Sequence, residues 1–416
     1  SSDLLIHQTQ NAYKPNYDHN DAAAVPEGTL AKAYRVHYDT KFTNPKGTPT
    51  GFYEDRDTDH VYCYDYIDLM TINATDDYNY STILGPNMAY GIVADHLFQG
   101  NDLQTNFAVN HYSAHGHYVS PDLSGSSSGA IVIGEFNVVD GMAENGTGAI
   151  AYDNTWGRLP VGNVLNNTLI VYADDDTGYN APDGNVYNTE GKAVVVVHAD
   201  GEDLKSTMVQ PGIDYGIAMS NALMSHPDTF TPPLTEGATT GVVDTTGFPD
   251  GATIYVDGDL LADIMASSGA LTIKKIENQT IVFNFDTTRD LTIAQFKVEQ
   301  YKFNESGTLV EDFKLTTSTD TSNNTLQNQR MDKVSRHLVW NLNGVKGKTT
   351  IKEAGGIFLQ PNRNSEIDIA ATSGGWIVSN GFVYNSSAEW HNFYADMPDT
   401  NKLNLRAIKT VVQFWS

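Results

Sequence analysis

The sequence predicts an all-β fold in which short strands coil into a β-solenoid with long loop insertions and one short capping helix. Short runs of Ile, Val, Ala and Phe recur from residue 91 onward, and each run has the length of a strand. Gly, Asn and Asp, which are typical turn formers, bound these runs. The runs are unevenly spaced, at roughly 15–30 residues, which argues against a strict repeat and favours coils with inserted loops.

A β-sandwich is the alternative fold. Continuous apolar runs such as Ala193–Val197 fit strands that are covered on both faces or that point into a packed solenoid. Two packed sheets bury strands in a similar way, so the sandwich stays open at this stage.

Two regions differ in composition. Residues 1–85 begin with a polar stretch that is rich in Asn, Asp and Tyr and carries Pro15, Pro26 and Pro45. This region is predicted to be an N-terminal arm or strapping element, partly irregular, although Val61–Ile67 has the aromatic and β-branched content of a strand. Residues 86–416 are predicted to form the β-solenoid domain.

One helix is expected around residues 212–225. Pro211 stands near its start, and Ile213, Ile217 and Met224 recur at helical spacing. We expect this helix to cap one end or edge of the β core and to protect an exposed strand there. Strand patterns resume from Thr253–Val256, and the Ser-, Thr- and Asn-rich stretch Thr316–Arg330 is predicted to be a surface loop.

The charge balance excludes several classes of partner. The chain carries 51 Asp and Glu against 25 Lys and Arg, a net charge of −26. Such a surface repels nucleic acid and anionic lipid. No apolar run reaches the ~20 residues that span a bilayer. The single cysteine, Cys63, excludes an internal disulfide and is predicted to be a buried small hydrophobe.

Two kinds of motif are candidate metal sites. His111, His115 and His117 lie within seven residues of one another, so they match a zinc site with an open position or, alternatively, a solvated histidine loop. The carboxylates of Asp174, Asp175 and Asp176, and those of Asp257 and Asp259, match Ca²⁺ or hydrated acidic turns. Asp55–Asp59 begins like a calcium loop but lacks the glycine and the glutamate of an EF-hand.

Aromatic residues beside Asn, Asp and Gly in predicted loops are candidate ligand-binding residues. Aromatic faces with nearby acceptors suit sugar rings or a protein partner, although packing on the solenoid surface is the alternative for each residue. The candidates are Tyr112, Tyr118, Trp156, Tyr179 and Tyr187.

The sequence contains little that indicates a catalytic site. Gly125–Gly129 has the spacing of a nucleophile elbow, but that motif lies between a strand and a helix, whereas here a strand follows it. No catalytic residue is assigned, and the chain is predicted not to be an enzyme. A β-helical polysaccharide lyase or glycoside hydrolase remains an alternative, since 51 acidic residues leave any choice of a catalytic pair arbitrary.

The order of the segments resembles the choice-of-anchor A family of Gram-positive surface proteins over residues 87–393. Matching segments include Gly91–Ala94, the helix Ile213–Met224 and Leu338–Asn341. The closing segments Gly356–Asn362 and Ala388–Asn392 match best, while Gln360 and Thr105-Asn106 depart from the family pattern. The resemblance implies a secreted protein attached to the cell wall by a signal outside the domain, with no catalytic set.

These observations predict an adhesin of the bacterial cell surface that binds host glycans or matrix proteins. Homotypic cell aggregation at acidic pH is a second form of the hypothesis, because the net charge of −26 vanishes near the isoelectric point of 4.6. A passive stalk is a further alternative.

Overall fold

The computed structural model describes residues 32–38, 60–68, 80–85, 87, 90–114, 119, 129–136, 168–173, 184–187, 193–199, 205–318, 326–385, 387–391 and 409–414. Over these ranges strands predominate, most of them in one large parallel sheet, and helices are few. The prediction of an all-β chain is therefore confirmed.

The largest sheet contains 16 strands within the described residues. Neighbours along its main path pair in parallel, apart from the antiparallel last pair. The path runs in the order β11 (Thr253–Asp257), β13 (Thr280–Asn284), β17 (Leu338–Asn341), β19 (Gly355–Gln360), β21 (Ser373–Asn385), β3 (Ile92–Gln99), β5 (Phe107–Ala114), β6 (Gly129–Phe136), β7 (Thr168–Ala173), β9 (Ala193–Ala199) and β8 (Gly184–Tyr187).

This order joins distant parts of the chain at a seam between β21 and β3. Ile377 pairs with Ile92 and Phe382 pairs with His96, although almost 300 residues separate the partners. The seam is closed at one end by the side chain of Asn385, which donates hydrogen bonds to the carbonyls of Asn101 and Asp102 at 2.9 and 3.0 Å. The first described strand of this sheet, β3, therefore lies in the middle of the strand order and not at an edge.

A second row of strands continues the sheet around a bend. Here β14 (Leu291–Ile293) pairs with β18 (Lys348–Ile351), and β18 pairs with β20 (Glu366–Ile369). β20 pairs with the second half of β21, whose register shifts between Ser379 and Phe382. Gly381 lies at this shift, where a Cβ atom would come within 2.3 Å of the Ser365 carbonyl oxygen. The long strand β21 therefore contributes its two halves to two different faces.

Shorter sheets flank the main one. A four-stranded sheet has the order β10 (Gly241–Asp244), β12 (Leu271–Ile276), β15 (Lys297–Phe303) and β16 (Leu309–Thr316). The short strands β4 (Leu103–Gln104) and β22 (Trp390–His391) pair with each other within the largest sheet, where β22 also pairs with β21. A three-stranded antiparallel sheet contains β1 (Lys32–Tyr38), β2 (His60–Asp68) and β23 (Lys409–Phe414). The last described strand of the chain therefore pairs with the N-terminal region.

The core is a column of large apolar side chains that the parallel register aligns. Trp340 is completely buried, stacks on Phe283 at 4.6 Å between ring centroids, and donates its indole N–H to the Gly355 carbonyl at 3.1 Å. Burial of such side chains contributes about 1.5–3 kcal/mol each. The column comprises Val256, Phe283, Trp340, Phe358, Ile377, Ile92 and Phe107.

The described residues form four α-helices, α1 (Tyr80–Leu84), α2 (Gln210–Ser225), α3 (Ala262–Met265) and α4 (Leu326–Ser335). Helix α2 matches the predicted helix in sequence but not in position. It packs across β3, β13, β17, β19 and β21, so it covers a face of the sheet, and the expectation of a cap at an end or edge is wrong.

The sequence of α2 explains this placement. Gly212, Gly216 and Ser220 recur every four residues and so share one side of the helix. A Cβ atom on Gly216 would lie 2.4 Å from Cγ1 of Val378, which shows how closely the helix approaches β21. Most other α2 residues are also buried, and a helix that is apolar on nearly all sides lies inside a protein.

The segment after α2 covers the edge strand β11 instead. The amides of Thr229 and Phe230 donate to the Tyr255 carbonyl at 2.9 and 3.1 Å, and the ring of His226 stacks on Tyr255 at 3.8 Å. These hydrogen bonds satisfy a backbone carbonyl that an uncovered edge strand would expose. Helix α4 begins at Leu326, inside the stretch 316–330 that was predicted to be a surface loop. The loop prediction is therefore wrong for the last residues of that stretch, from Leu326 onward.

Candidate functional site

The second halves of the long strands build a surface that we call the ladder face. Side chains alternate along a strand, so Val383, Leu97 and Tyr112 point into the core while their neighbours point outward. The register aligns the outward residues in two rows. The first row is Lys348, Glu366, Phe382, His96 and His111, and the second is Thr350, Asp368, Tyr384, Phe98 and Ser113.

Aromatic rings form the centre of the ladder face. Across the seam, His96 packs on Phe382 at 4.6 Å and Phe98 stacks on Tyr384 at 4.8 Å between ring centroids. His96 also stacks on His111 at 4.4 Å, so the imidazoles extend the row of rings onto β5. Phe382, Tyr384 and His111 are partly exposed, and the His96 side chain is 25% exposed. Phe98 is only 5% exposed, so the rings that present a partly apolar surface to solvent are those of Phe382, Tyr384, His96 and His111.

One end of the ladder face carries an ion-pair cluster. Lys348 Nζ lies 2.9 Å from a carboxylate oxygen of Asp368 and 3.4 Å from one of Glu366. Burial opposes the charge on Lys348, but these hydrogen bonds and attractions outweigh it and raise the pKa of the amine. Burial raises the pKa of Glu366 in spite of Lys348. The cluster therefore offers both charge signs, with acidic groups in excess.

The other end carries imidazoles that a buried carboxylate holds in place. His96 Nδ1 lies 3.0 Å from a carboxylate oxygen of Asp95, and Asn110 donates to the other oxygen at 2.9 Å. Burial alone would raise the pKa of Asp95, but the hydrogen bonds from His96 and Asn110 lower it overall. Asn110 also donates to Gln210 of α2 at 3.0 Å, which ties this corner to the helix. Asp95 therefore favours its charged form beside His96.

The predicted ligand-binding aromatics have different outcomes. Tyr112 lies in β5, is completely buried, stacks on Phe107 at 5.3 Å and donates its hydroxyl hydrogen to Gln99. The expectation of an exposed loop residue at Tyr112 is wrong, because the strand alternation turns it inward. Tyr187 pairs in β8 with Ala193, while Tyr118, Trp156 and Tyr179 lie outside the described residues.

The predicted metal ligands also have different outcomes. His111 is a strand residue of the ladder face, and His115, His117, Asp174, Asp175 and Asp176 lie outside the described residues. Asp259 donates its backbone N–H to Asp257 at 2.9 Å, and burial and nearby carboxylates raise the pKa of Asp259. Within the part of the chain that the structure describes, no three His, Cys, Asp or Glu side chains are grouped to hold a metal ion.

Four ring-bearing residues of the ladder face, His96, Phe98, Phe382 and Tyr384, were missing from the predicted site. The pattern His96-Leu97-Phe98 repeats in Phe382-Val383-Tyr384, where an aromatic or imidazole ring alternates with an apolar residue. That alternation is readable in the sequence. The pairing of β21 with β3, which brings the two segments together, is not.

No described helix has both the length and the apolar character that crossing a bilayer requires. Comparison with known families finds no match, and no curated protein matches the sequence. Among solved structures, the chain is similar to a glycosylated ice-binding protein from Arctic yeast, with 9% identity and a TM-score of 0.28. The alignment covers 74% of this chain and 93% of that protein. A likeness this low carries no information about what the chain binds.

Proposed function

We propose that this chain is an adhesive domain of a Gram-positive cell-surface protein, which binds glycans or matrix proteins through the ladder face. The resemblance to the choice-of-anchor A family supports secretion and attachment to the cell wall. The proposal assigns no catalytic residue, no bound cofactor, and no role in binding nucleic acid or entering a membrane. Calcium at Asp174, Asp175 and Asp176 remains a prediction.

We also propose that the parallel strands stack as coils of a β-solenoid. Support comes from the in-register column of core side chains and from the second row of strands, which follows the first around a bend. Rigid stacked coils would hold exposed side chains at fixed spacing. A regular array of this kind suits an extended partner better than a small molecule.

The row of partly exposed rings across the seam is the observation that carries the binding proposal. A sugar ring has an apolar C–H face that packs on aromatic side chains, and Tyr384 adds a hydroxyl that can donate and accept. Glu366 and Asp368 accept hydrogen bonds from sugar hydroxyls or from donor groups of a protein. Because the net charge is −26, neutral or basic partners are favoured over anionic ones.

The test is a glycan and matrix-protein array at pH 5 and pH 7, with the full chain and matched variants. Phe382→Ala and Tyr384→Ala should each reduce capture about tenfold or more, since central aromatic residues dominate binding surfaces. Phe303→Ala is the control, because Phe303 is 49% exposed at the end of β15, away from the ladder face. Capture unaffected by Phe382→Ala would overturn this site, and turnover of a bound glycan would replace adhesion by catalysis.

A further inference from the structure

We infer that the ladder face is also a self-association surface, whose partner is the ladder face of a second copy of this chain. This inference rests on the proposed function, since it names a second occupant of the same site. The partly exposed rings of Phe382 and Tyr384 lie between two ends of different chemistry. Flat sheet faces pack against each other at about 10 Å through such outward side chains.

The arrangement of charge along the rows favours a symmetric dimer with a two-fold axis. One end has the carboxylates of Glu366 and Asp368 around Lys348, with Asp290 accepting the backbone N–H of Lys348 at 2.8 Å. The opposite end has the stacked imidazoles of His96 and His111. In a symmetric dimer the same patch serves both copies. A two-fold axis through Phe382 then places each imidazole end against the carboxylate end of the other copy.

The charged groups around the imidazoles determine how acid acts. His96 faces Asp95 on its own strand and His111 on β5. The register places Glu135 of β6 opposite His111. Lys205 packs beside the neighbouring Gly134 position, and Asp214 of α2 accepts from Gln210, which in turn accepts from Asn110. Once protonated, the two imidazoles add positive charge beside the Asp95 carboxylate.

Protonation therefore strengthens the pairing as the pH falls. Histidine is the side chain that gains charge between pH 8 and pH 5, while most carboxylates lose theirs only below about pH 4–5. With protonated imidazoles and charged carboxylates, each copy presents imidazolium to carboxylate, and the general repulsion of −26 charges per chain is smaller than at neutral pH. Further acidification protonates Glu366, whose pKa burial raises, and weakens the contact.

This window separates specific pairing from isoelectric aggregation. Association through net neutrality alone would be strongest near the isoelectric point of 4.6 and would not depend on the ladder face. Pairing through the ladder face peaks above that pH, at about pH 5–6, and is limited to two copies.

The experiment is sedimentation equilibrium of the full chain from pH 4 to pH 7.5. We expect a dimer that is strongest at about pH 5–6 and a monomer at pH 7.5. His96→Gln, His111→Gln and Glu366→Gln should each weaken the dimer about tenfold, and Phe382→Ala should abolish it, while Phe303→Ala leaves it unchanged. Circular dichroism at each pH confirms that every variant is folded, and a variant that is not is replaced by Tyr384→Ala.

A monomer at every pH would overturn the inference. So would association that peaks at the isoelectric point and ignores these substitutions. The array at pH 7, where the chain is monomeric, reports separately on glycan or matrix binding. Loss of self-association with array binding intact would therefore leave the proposed function standing.

Discussion

The two halves of β21 show how one strand serves two different purposes. In its first half, Val378 points outward and is covered by α2, so only 3% of it is exposed. In its second half, Phe382 also points outward but remains partly exposed on the ladder face. The bend at Gly381 separates the halves. The same alternation thus produces a buried layer where α2 covers it and a partly exposed surface where no described helix does.

Asn341 on the covered face has its donors and its acceptor matched, whereas Lys348 and Glu366 on the ladder face remain partly accessible. Asn341 is fully buried, donates to the Ser220 carbonyl at 3.0 Å and to Asn284 at 2.8 Å, and accepts from the Ser220 hydroxyl. On the ladder face, Lys348 and Glu366 keep about a quarter to a third of their side-chain surface exposed. The polar groups of the ladder face therefore keep contact with water, and Asn341 beneath the helix does not.

The largest effect is expected from placing a charge on the covered face. Val378→Asp buries a carboxylate against α2 with no partner, and we expect a loss of about 4 kcal/mol or more in the free energy of unfolding. Urea denaturation measures it. Val378→Ala, which only removes methyl groups, is the control and should cost about 2 kcal/mol. Equal losses for the two variants would contradict burial of this half of β21.

The hydrogen bonds between α2 and the sheet give the next effect. Asn341→Ala removes both donors and leaves buried oxygens of Ser220 and Asn284 without them, for an expected loss of about 3 kcal/mol. Asn343 is the matched control, since it bonds Ser220 and Asn221 at 3.0 and 2.8 Å but is partly exposed. Asn343→Ala should cost about 1 kcal/mol in the same urea experiment.

Acid should also lower the stability of the folded chain through a mostly buried histidine, His337, independently of the ladder face. Burial, with repulsion from Lys275 and Arg336, lowers the pKa of His337 from 6.5 to about 3. The folded state therefore resists protonation of His337, so its contribution is complete above pH 6.5 and is lost as the pH falls towards 3. The loss is on the order of 2 kcal/mol, since His337 keeps some contact with solvent.

Thermal unfolding of His337→Gln between pH 7 and pH 3 tests whether His337 causes this acid-induced loss of stability. The variant should lose less stability on acidification than the parent chain. Its dimerisation at about pH 5–6 should be unchanged. A parallel loss of dimerisation would indicate that acid acts by loosening the fold and not through His96 and His111.

The smallest stability effect is expected on the ladder face itself. Phe382→Ala removes a tilted ring contact with His96 but little buried area, so the loss should be about 1–1.5 kcal/mol. Phe303→Ala should fall within about 0.5 kcal/mol of the parent chain. Differential scanning calorimetry resolves both changes. A loss above about 3 kcal/mol for Phe382→Ala would show that this ring belongs to the core.

The sequence predicted one residue of the ladder face, His111, but not the strand pairing that places it there. His111 was identified as a candidate from its neighbours His115 and His117, but its position beside His96 depends on strand pairing. Tyr112 was expected outside, because the sequence around it is rich in turn-forming residues; the register of β5 turns it into the core. A shift of one residue in that register would exchange Tyr112 and His111 between the two faces.

Local pattern alone therefore determined the strand-rich composition and the helix near residues 212–225, because apolar periodicity and turn residues act over a few positions. Tertiary structure decided that Ile92 pairs with Ile377, that α2 lies across a face, and that rings from β3, β5 and β21 meet in one ladder. Those contacts join residues up to almost 300 positions apart, and many short apolar strands are equally able to pair. Only the packing of the whole core selects one order among them.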